Sequence, residues 1–320
     1  MAVSFESIPA RDARAEAVGR AQELRAGELD VQILEPAPPA VSEPPWFADA
    51  ERTGSRVVGP YGAQEWRWST LADADPTLRS WCEERWLGPY GRLEPLPADF
   101  TGTRLALHRL AEQVISPARA KANTKIGLRW TLGGFGTPFF GPDAQIRTDG
   151  ERIVVQEGSA ARSGPITTIR AARELIGELA APTNGAPVDE TLTVSAAAAS
   201  ALAELYGFAT SVLEELRYGA GPKLEPSRCQ LWPEHFDVSV ELGGEAAGRR
   251  AGYGVSPGDE LHDEPYLYVV PWSTVPEGDR WEATGFAGAE FGYARLVASA
   301  DQRATALEFF RGCLSDLLGR

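Results

Sequence analysis

The densest group of chemically capable side chains lies in RCQLWPEHFDVSVEL, residues 228–242. His235 and Asp237 stand two residues apart. An extended chain points successive side chains to opposite faces, so this spacing predicts both on one face of a strand. A carboxylate beside an imidazole sets the ring's tautomer for acid–base work or metal binding. Glu234 adjoins the pair, and His262 and Asp263 follow further along. A His-x-Asp pair with a distant histidine is also the ligand set of a mononuclear iron facial triad. The bland alternative is the wet face of a half-exposed antiparallel strand.

A second place for chemistry is TKIGLRWTL, residues 124–132, followed by GGFGTPFFGP. Ile126, Leu128, Trp130 and Leu132 alternate with Lys125, Gly127, Arg129 and Thr131, the mark of a half-buried strand. Arg129 on its polar face is a candidate anion clamp, and the two strands are expected to neighbour each other in one sheet. The glycine-rich loop lacks both the dinucleotide G-x-G-x-x-G spacing and the Gly-Lys-Ser/Thr of a phosphate loop. It reads as a crossover with phenylalanines in the core, or as one aromatic wall of a pocket. The aromatic set for such a pocket is Trp130, Phe135, Phe139, Trp232, Phe236, Tyr266, Tyr268 and Trp272. Few polar groups among aromatic walls is the usual composition of a ligand cleft, and also of a core. Arg129, Trp130, Phe135, Trp232, Glu234 and Tyr266 are the candidate ligand-binding residues.

Other chemistries lack their signatures. There is no G-x-S-x-G elbow, no H-E-x-x-H and no zinc spacing of histidines and cysteines. No metal and no cofactor is expected. The three cysteines are far apart and odd in number, which is not a disulfide framework and suits a reducing cytoplasm. The net charge of −14, with no basic run, argues against nucleic acid or an anionic membrane as partner. No signal-type run is visible, and no segment reads as membrane-spanning. A small organic ligand or a peptide is the partner this leaves.

The elements that must position these residues follow from periodicity. EPAPPAVSEPP makes residues 1–45 an extended Pro-rich arm, ahead of one α+β domain over 46–320. Five of nine tryptophans fall between Trp46 and Trp86, and residues 75–88 suggest a short helix. TRLALHRLAEQVISP is an amphipathic helix limited by Pro117, with His108 at the edge of its apolar stripe. QIRTDGERIVVQ is a hairpin turning at Asp149-Gly150. Residues 165–179 and 195–219 form helices, the first capped by Thr167 or Thr168. RRAGYGVS, PYLYVVPW and WEATGFAGAEFGY are strands, and PYLYVVPW, apolar on both faces, is expected at the sheet's centre. Ser299-x-x-Gln302 reads as the capping box of a last helix. The result is a mainly antiparallel sheet flanked by amphipathic helices. Helix, strands, helix occurs twice, which suggests pseudo-symmetric halves over 103–180 and 191–320.

QLWPEHFDVSVEL with its preceding helix, PYLYVVPW and the WEATGFAGAEFGYARL ending resemble the bacterial family DUF5996, which has no assigned function. The resemblance is best over residues 191–319 and weaker over 103–156. KIGLRWTLGGFGTPFFG is similar to segments of proteins from high-GC bacteria. The family supplies no catalytic residues to transfer. These readings imply a cytoplasmic binding or accessory protein, with an enzyme using His235 and Asp237 as the alternative.

Overall fold

In the computed structural model the described residues are 92–320, apart from 132, 138–139, 141–143, 158–159, 183–188, 221, 228 and 320, together with 32–33, 56–58 and 65–67. The short segments form an antiparallel sheet of β1 (Gln32–Ile33), β2 (Arg56–Val58) and β3 (Glu65–Arg67). The rest of the Pro-rich arm, the expected helix at 75–88, its tryptophans and Phe139 lie outside the described residues.

Two five-stranded antiparallel meanders make up the body. The first holds β4 (Arg129–Thr131), β5 (Gly134–Gly136), β6 (Ala144–Asp149), β7 (Arg152–Glu157) and β8 (Ala160–Pro165). The second holds β9 (Gln230–Trp232), β10 (Asp237–Leu242), β11 (Ala251–Ser256), β12 (Tyr266–Pro271) and β13 (Ala289–Gly292). Both have their strands in chain order, so every neighbour is joined by a hairpin-type connection. The chain is α+β with antiparallel sheets, as its sequence implies. The meanders meet edge to edge. Leu128 and Leu231 exchange N–H···O bonds of 2.7 and 2.9 Å, placing β4 beside β9.

The helices cover one side of this joined surface. Residues 100–123 form α1, which does not stop at Pro117. It is α-helical over Phe100–Leu110, widens to a π-turn over Ala111–Ile115, and resumes over Ser116–Asn123. Proline lacks the N–H that would bond the carbonyl four residues back, and a π-turn relieves that mismatch. The carbonyl in question, on Gln113, accepts instead from the Arg173 guanidinium at 3.3 Å. The next helix, α2 (Ile169–Ile176), is capped by Thr168, whose hydroxyl accepts from the Ala171 N–H at 3.0 Å.

The longest helix, α3 (Ala196–Ala220), packs on β4 and β5 of one sheet and on β10 and β11 of the other. Over Ala196–Arg217 it has a mean hydropathy of 1.3, which is long and apolar enough to cross a membrane. That corrects the sequence reading, which found no such segment. Burial accounts for the composition: Leu202, Leu205, Tyr206, Phe208, Ala209, Val212, Leu213 and Leu216 are all in the core. A short helix, α4 (Tyr293–Val297), leads to α5 (Gln302–Leu318). Asp301, not Ser299, caps α5, accepting from the Ala304 N–H at 2.9 Å. Glu215 on α3, 3 % exposed, joins the two helices through Arg303 at 2.6 Å and Arg311 at 2.8 Å.

Residues 228–242 are not one strand. They form a hairpin in which Pro233, Glu234, His235 and Phe236 are the turn between β9 and β10. Pro233 cannot continue the ladder, and Phe236 takes a left-handed φ of +56°. Three side chains hold that conformation. The Tyr206 hydroxyl donates to the Phe236 carbonyl at 2.6 Å. The His108 ring stacks on Phe236 with centroids 4.9 Å apart, and its Nε2 donates to the Pro233 carbonyl at 2.8 Å. Phe135 and Tyr206 meet the Phe236 ring edge-on at 5.0 and 5.5 Å.

Three smaller expectations also shift. The 144–157 hairpin turns at Gly150 and Glu151, since Asp149 pairs with Arg152. Only residues 289–292 of WEATGFAGAEFGY are strand. PYLYVVPW is second from the edge, not central, and only its alternate residues Pro265, Leu267, Val269 and Pro271 are buried.

The turn therefore belongs to the core although its tip is wet. Phe236→Ala should lose about 3–5 kcal/mol in urea unfolding, the usual loss for a buried phenylalanine. His235→Ala, on the exposed tip, should change stability by less than about 0.5 kcal/mol.

Candidate functional site

Strand register sorts the second sheet into two faces. One carries Leu231, Val238, Val255, Leu267 and Phe291 as paired neighbours, all in the core. The opposite face carries Gln230, Ser239, Gly254, Tyr268 and Glu290 in one row. Beside it run Trp232 with Asp237, and Ser256 with Tyr266. Polar and aromatic groups thus share one side of five strands, backed by a packed core.

Asp237, the first residue of β10, lies on this face and is 4 % exposed. The Tyr268 hydroxyl donates to its Oδ2. To reach it, Tyr268 crosses β11 above Gly254, where an added Cβ would fall 2.4 Å from the phenol oxygen. Glycine at 254 is therefore what lets β12 touch β10. Oδ1 of Asp237 is buried without a hydrogen-bond partner. Burial disfavours its charged form, only partly offset by the Tyr268 hydrogen bond and the His235 charge, and the carboxyl is pushed up to about 6. Burial and the neighbouring Asp237 likewise raise the Tyr268 phenol well above its ordinary value.

A second chain of contacts runs alongside. Tyr266 donates to Asp259 Oδ2 at 2.6 Å. The two ring nitrogens of His262 face Asp259 Oδ1 at 3.0 Å and Glu290 Oε2 at 3.2 Å. Burial would raise the Asp259 carboxyl, but hydrogen bonds from Tyr266, the Leu261 and His262 amides and the His262 ring outweigh it and hold it low. The hydroxyls of Ser239 and Ser256 offset part of the rise of the Tyr268 and Tyr266 phenols. Two Tyr–Asp pairs therefore lie side by side, with their tyrosines two residues apart on β12.

Of the residues singled out in the sequence, Asp237, Trp232 and Tyr266 come together on this face, with Trp232 and Tyr266 half-buried. Glu234 and His235 sit exposed on the turn. His235 does not share a strand face with Asp237, because the turn intervenes between β9 and the first residue of β10. Arg129 would fall opposite Gln230 in the Leu128–Leu231 register, two strands from Asp237 on the same side. Trp130 is half-buried against the core, and Phe135 is wholly inside it. Trp272 is 54 % exposed at the other end of β12, with the Arg250 guanidinium 5.3 Å from its ring. The facial triad is not assembled: His262 sits with Asp259 and Glu290, and Asp263 is exposed. Among the described residues no three His, Cys, Asp or Glu side chains are grouped to hold a metal ion.

Sequence reasoning missed Tyr268 as a partner of Asp237, and Asp259 and Glu290 altogether. The small residues of AGYGVS were the available signal. Gly252, Gly254 and Ser256 alternate on one face, which leaves space for larger side chains from the next strand. Comparison with family models, curated proteins and solved structures gives no match.

The raised Asp237 carboxyl fixes a pH dependence. Its folded value of about 6 exceeds the ordinary 3.8, so between those values the folded state holds more protons than the unfolded state. Stability must then fall as pH rises from about 4 to about 6.5. The wild type should lose up to about 3 kcal/mol across that window relative to Asp237→Asn. Urea titrations of both proteins at a series of pH values will read this, and parallel curves would refute the assignment.

Proposed function

We propose that this chain is a cytoplasmic binding or accessory protein that receives a small organic ligand, or the side chain of a peptide, on the second face of β9–β13. One observation carries the reading: a carboxyl group 4 % exposed keeps an oxygen without a hydrogen-bond partner, among half-buried Trp232, Tyr266 and Tyr268. Buried polar groups are nearly always satisfied, so an orphan acceptor in an aromatic setting is the kind of group a ligand completes. The acidic chain argues against nucleic acid or an anionic membrane as the partner.

A second reading, acid–base catalysis by Asp237, is favoured by its carboxyl of about 6 and by the Tyr268 hydroxyl on its other oxygen. His235 takes no part in that reading, being exposed on the turn.

The half-buried Tyr266, on the same face as Asp237, supplies the test. The wild type should show saturable thermal shifts with members of a chemically diverse small-molecule panel. Tyr266→Ala should stay folded by circular dichroism and lose those shifts. Shifts of equal size in both proteins would place binding elsewhere, and turnover of a bound compound that stops in Asp237→Asn would promote the catalytic reading.

A further inference from the structure

Accepting the second face of β9–β13 as a ligand site, we infer that its ligand is a small organic cation, an alkyl or arylalkyl ammonium. The inference begins with three rings. Tyr266, Tyr268 and Phe286 lie at mutual centroid distances of 6.1, 6.1 and 6.4 Å. All three are half-buried. The His262 ring, 4.2 Å from Tyr266 and 6.4 Å from Phe286, borders the same cluster. Aromatic faces attract cations, and the attraction grows as water is excluded.

Carboxylates rim the rings. Asp237 sits at the Tyr268 hydroxyl, Asp259 at the Tyr266 hydroxyl, and Glu290 on the far side of His262. The nearby positive groups are engaged. His262 lies between Asp259 and Glu290, and Arg104 donates to the carbonyls of His262 and Asp259 at 3.4 and 3.5 Å. Arg129 lies two strands beyond Asp237 and leaves the ring cluster to the acids.

The orphan Oδ1 of Asp237 supplies the specific contact. An ammonium N–H donates to it, satisfies the buried acceptor and neutralises the charge that burial opposes. A carboxylate ligand would do the reverse, adding like charge beside an acid that already resists ionisation. The groups facing Asp237 are Tyr268 on β12, His235 and Glu234 on the turn, and its own backbone N–H. Its charge is also felt by Tyr266 on β12 and Tyr206 on α3. None of these supplies a hydrogen bond to Oδ1.

The test uses the full chain and four probes of one shape: phenethylamine, its N,N,N-trimethyl derivative, phenethyl alcohol and 3-phenylpropionate. Calorimetric titration at pH 7.5 should give saturable binding of the amine, with the other three at least about tenfold weaker. Binding of the amine should weaken about tenfold at pH 5, because the Asp237 carboxyl is then mostly protonated. The alcohol should show no such dependence. Asp237→Asn should remove both the amine preference and its pH dependence. Glu290→Gln, half-buried at the rim, should weaken the amine several-fold and keeps the test open if Asp237→Asn folds poorly. Tighter binding of the alcohol or the acid than of the amine, lost in Tyr266→Ala, would overturn the cation and leave the site. Failure of all four probes, and of the diverse panel, would overturn both.

Discussion

Everything rests on the pairing of Leu128 with Leu231. Two main-chain hydrogen bonds of 2.7 and 2.9 Å turn two separate meanders into one antiparallel surface. Without them, β4 and β9 would each present an open edge, and unpaired edges invite misassociation. The same bonds fix which residues share a side. Leu128, Leu231, Val238, Val255, Leu267 and Phe291 then face the helices as one unbroken apolar row. The length and oiliness of α3 follow from that. A helix of 25 residues that touches both sheets needs apolar side chains along most of its length.

The second side is a consequence of the first, since period-2 side chains leave the other alternate set pointing away from the helices. There β11 contributes almost nothing but backbone. Gly252, Gly254 and Ser256 form a low strip between β10 and β12, and Tyr268 of β12 leans across it at Gly254. A larger residue at 254 would collide with the Tyr268 ring and separate it from Asp237. The contact between residues 237 and 268 therefore depends on a residue that has no side chain of its own.

Much of this was legible in the sequence, and the failures have definite causes. The α+β class, the helices at 165–179 and 195–219, and the strands at 251–256 and 266–271 follow from periodicity, because burial on one side imposes it. The break in residues 228–242 was hidden because apolar and polar residues keep alternating through a four-residue turn. A turn of that length reverses the parity, so Trp232 shares a side with Asp237 and not with Val238. No composition rule flags a phenylalanine at positive φ, since glycine and asparagine are the residues that signal it. The continuation of α1 past Pro117 was not legible, because the compensation comes from Arg173, far away in sequence. The His262–Asp259–Glu290 group spans a loop and a separate strand, and only the fold brings it together.

The two costs in the β9–β10 hairpin, adjacent in the chain, are met by different means. A bulky residue in the left-handed region costs about 1–2 kcal/mol. Burying the Phe236 ring returns about 1.5–3 kcal/mol, and its aromatic partners add about 0.5–1.5 kcal/mol each. The strain at 236 is thus held by the hydrophobic core, through His108, Phe135 and Tyr206. One residue later no such offset exists. Asp237 is carried into the interior by the hairpin that Phe236 anchors, and its oxygen finds no donor. Replacing it with a neutral residue of similar size would suit folding better. A chain that keeps the acid, provides a glycine so that a tyrosine can reach it, and gathers three rings beside it has arranged its packing around a group that packing alone does not need.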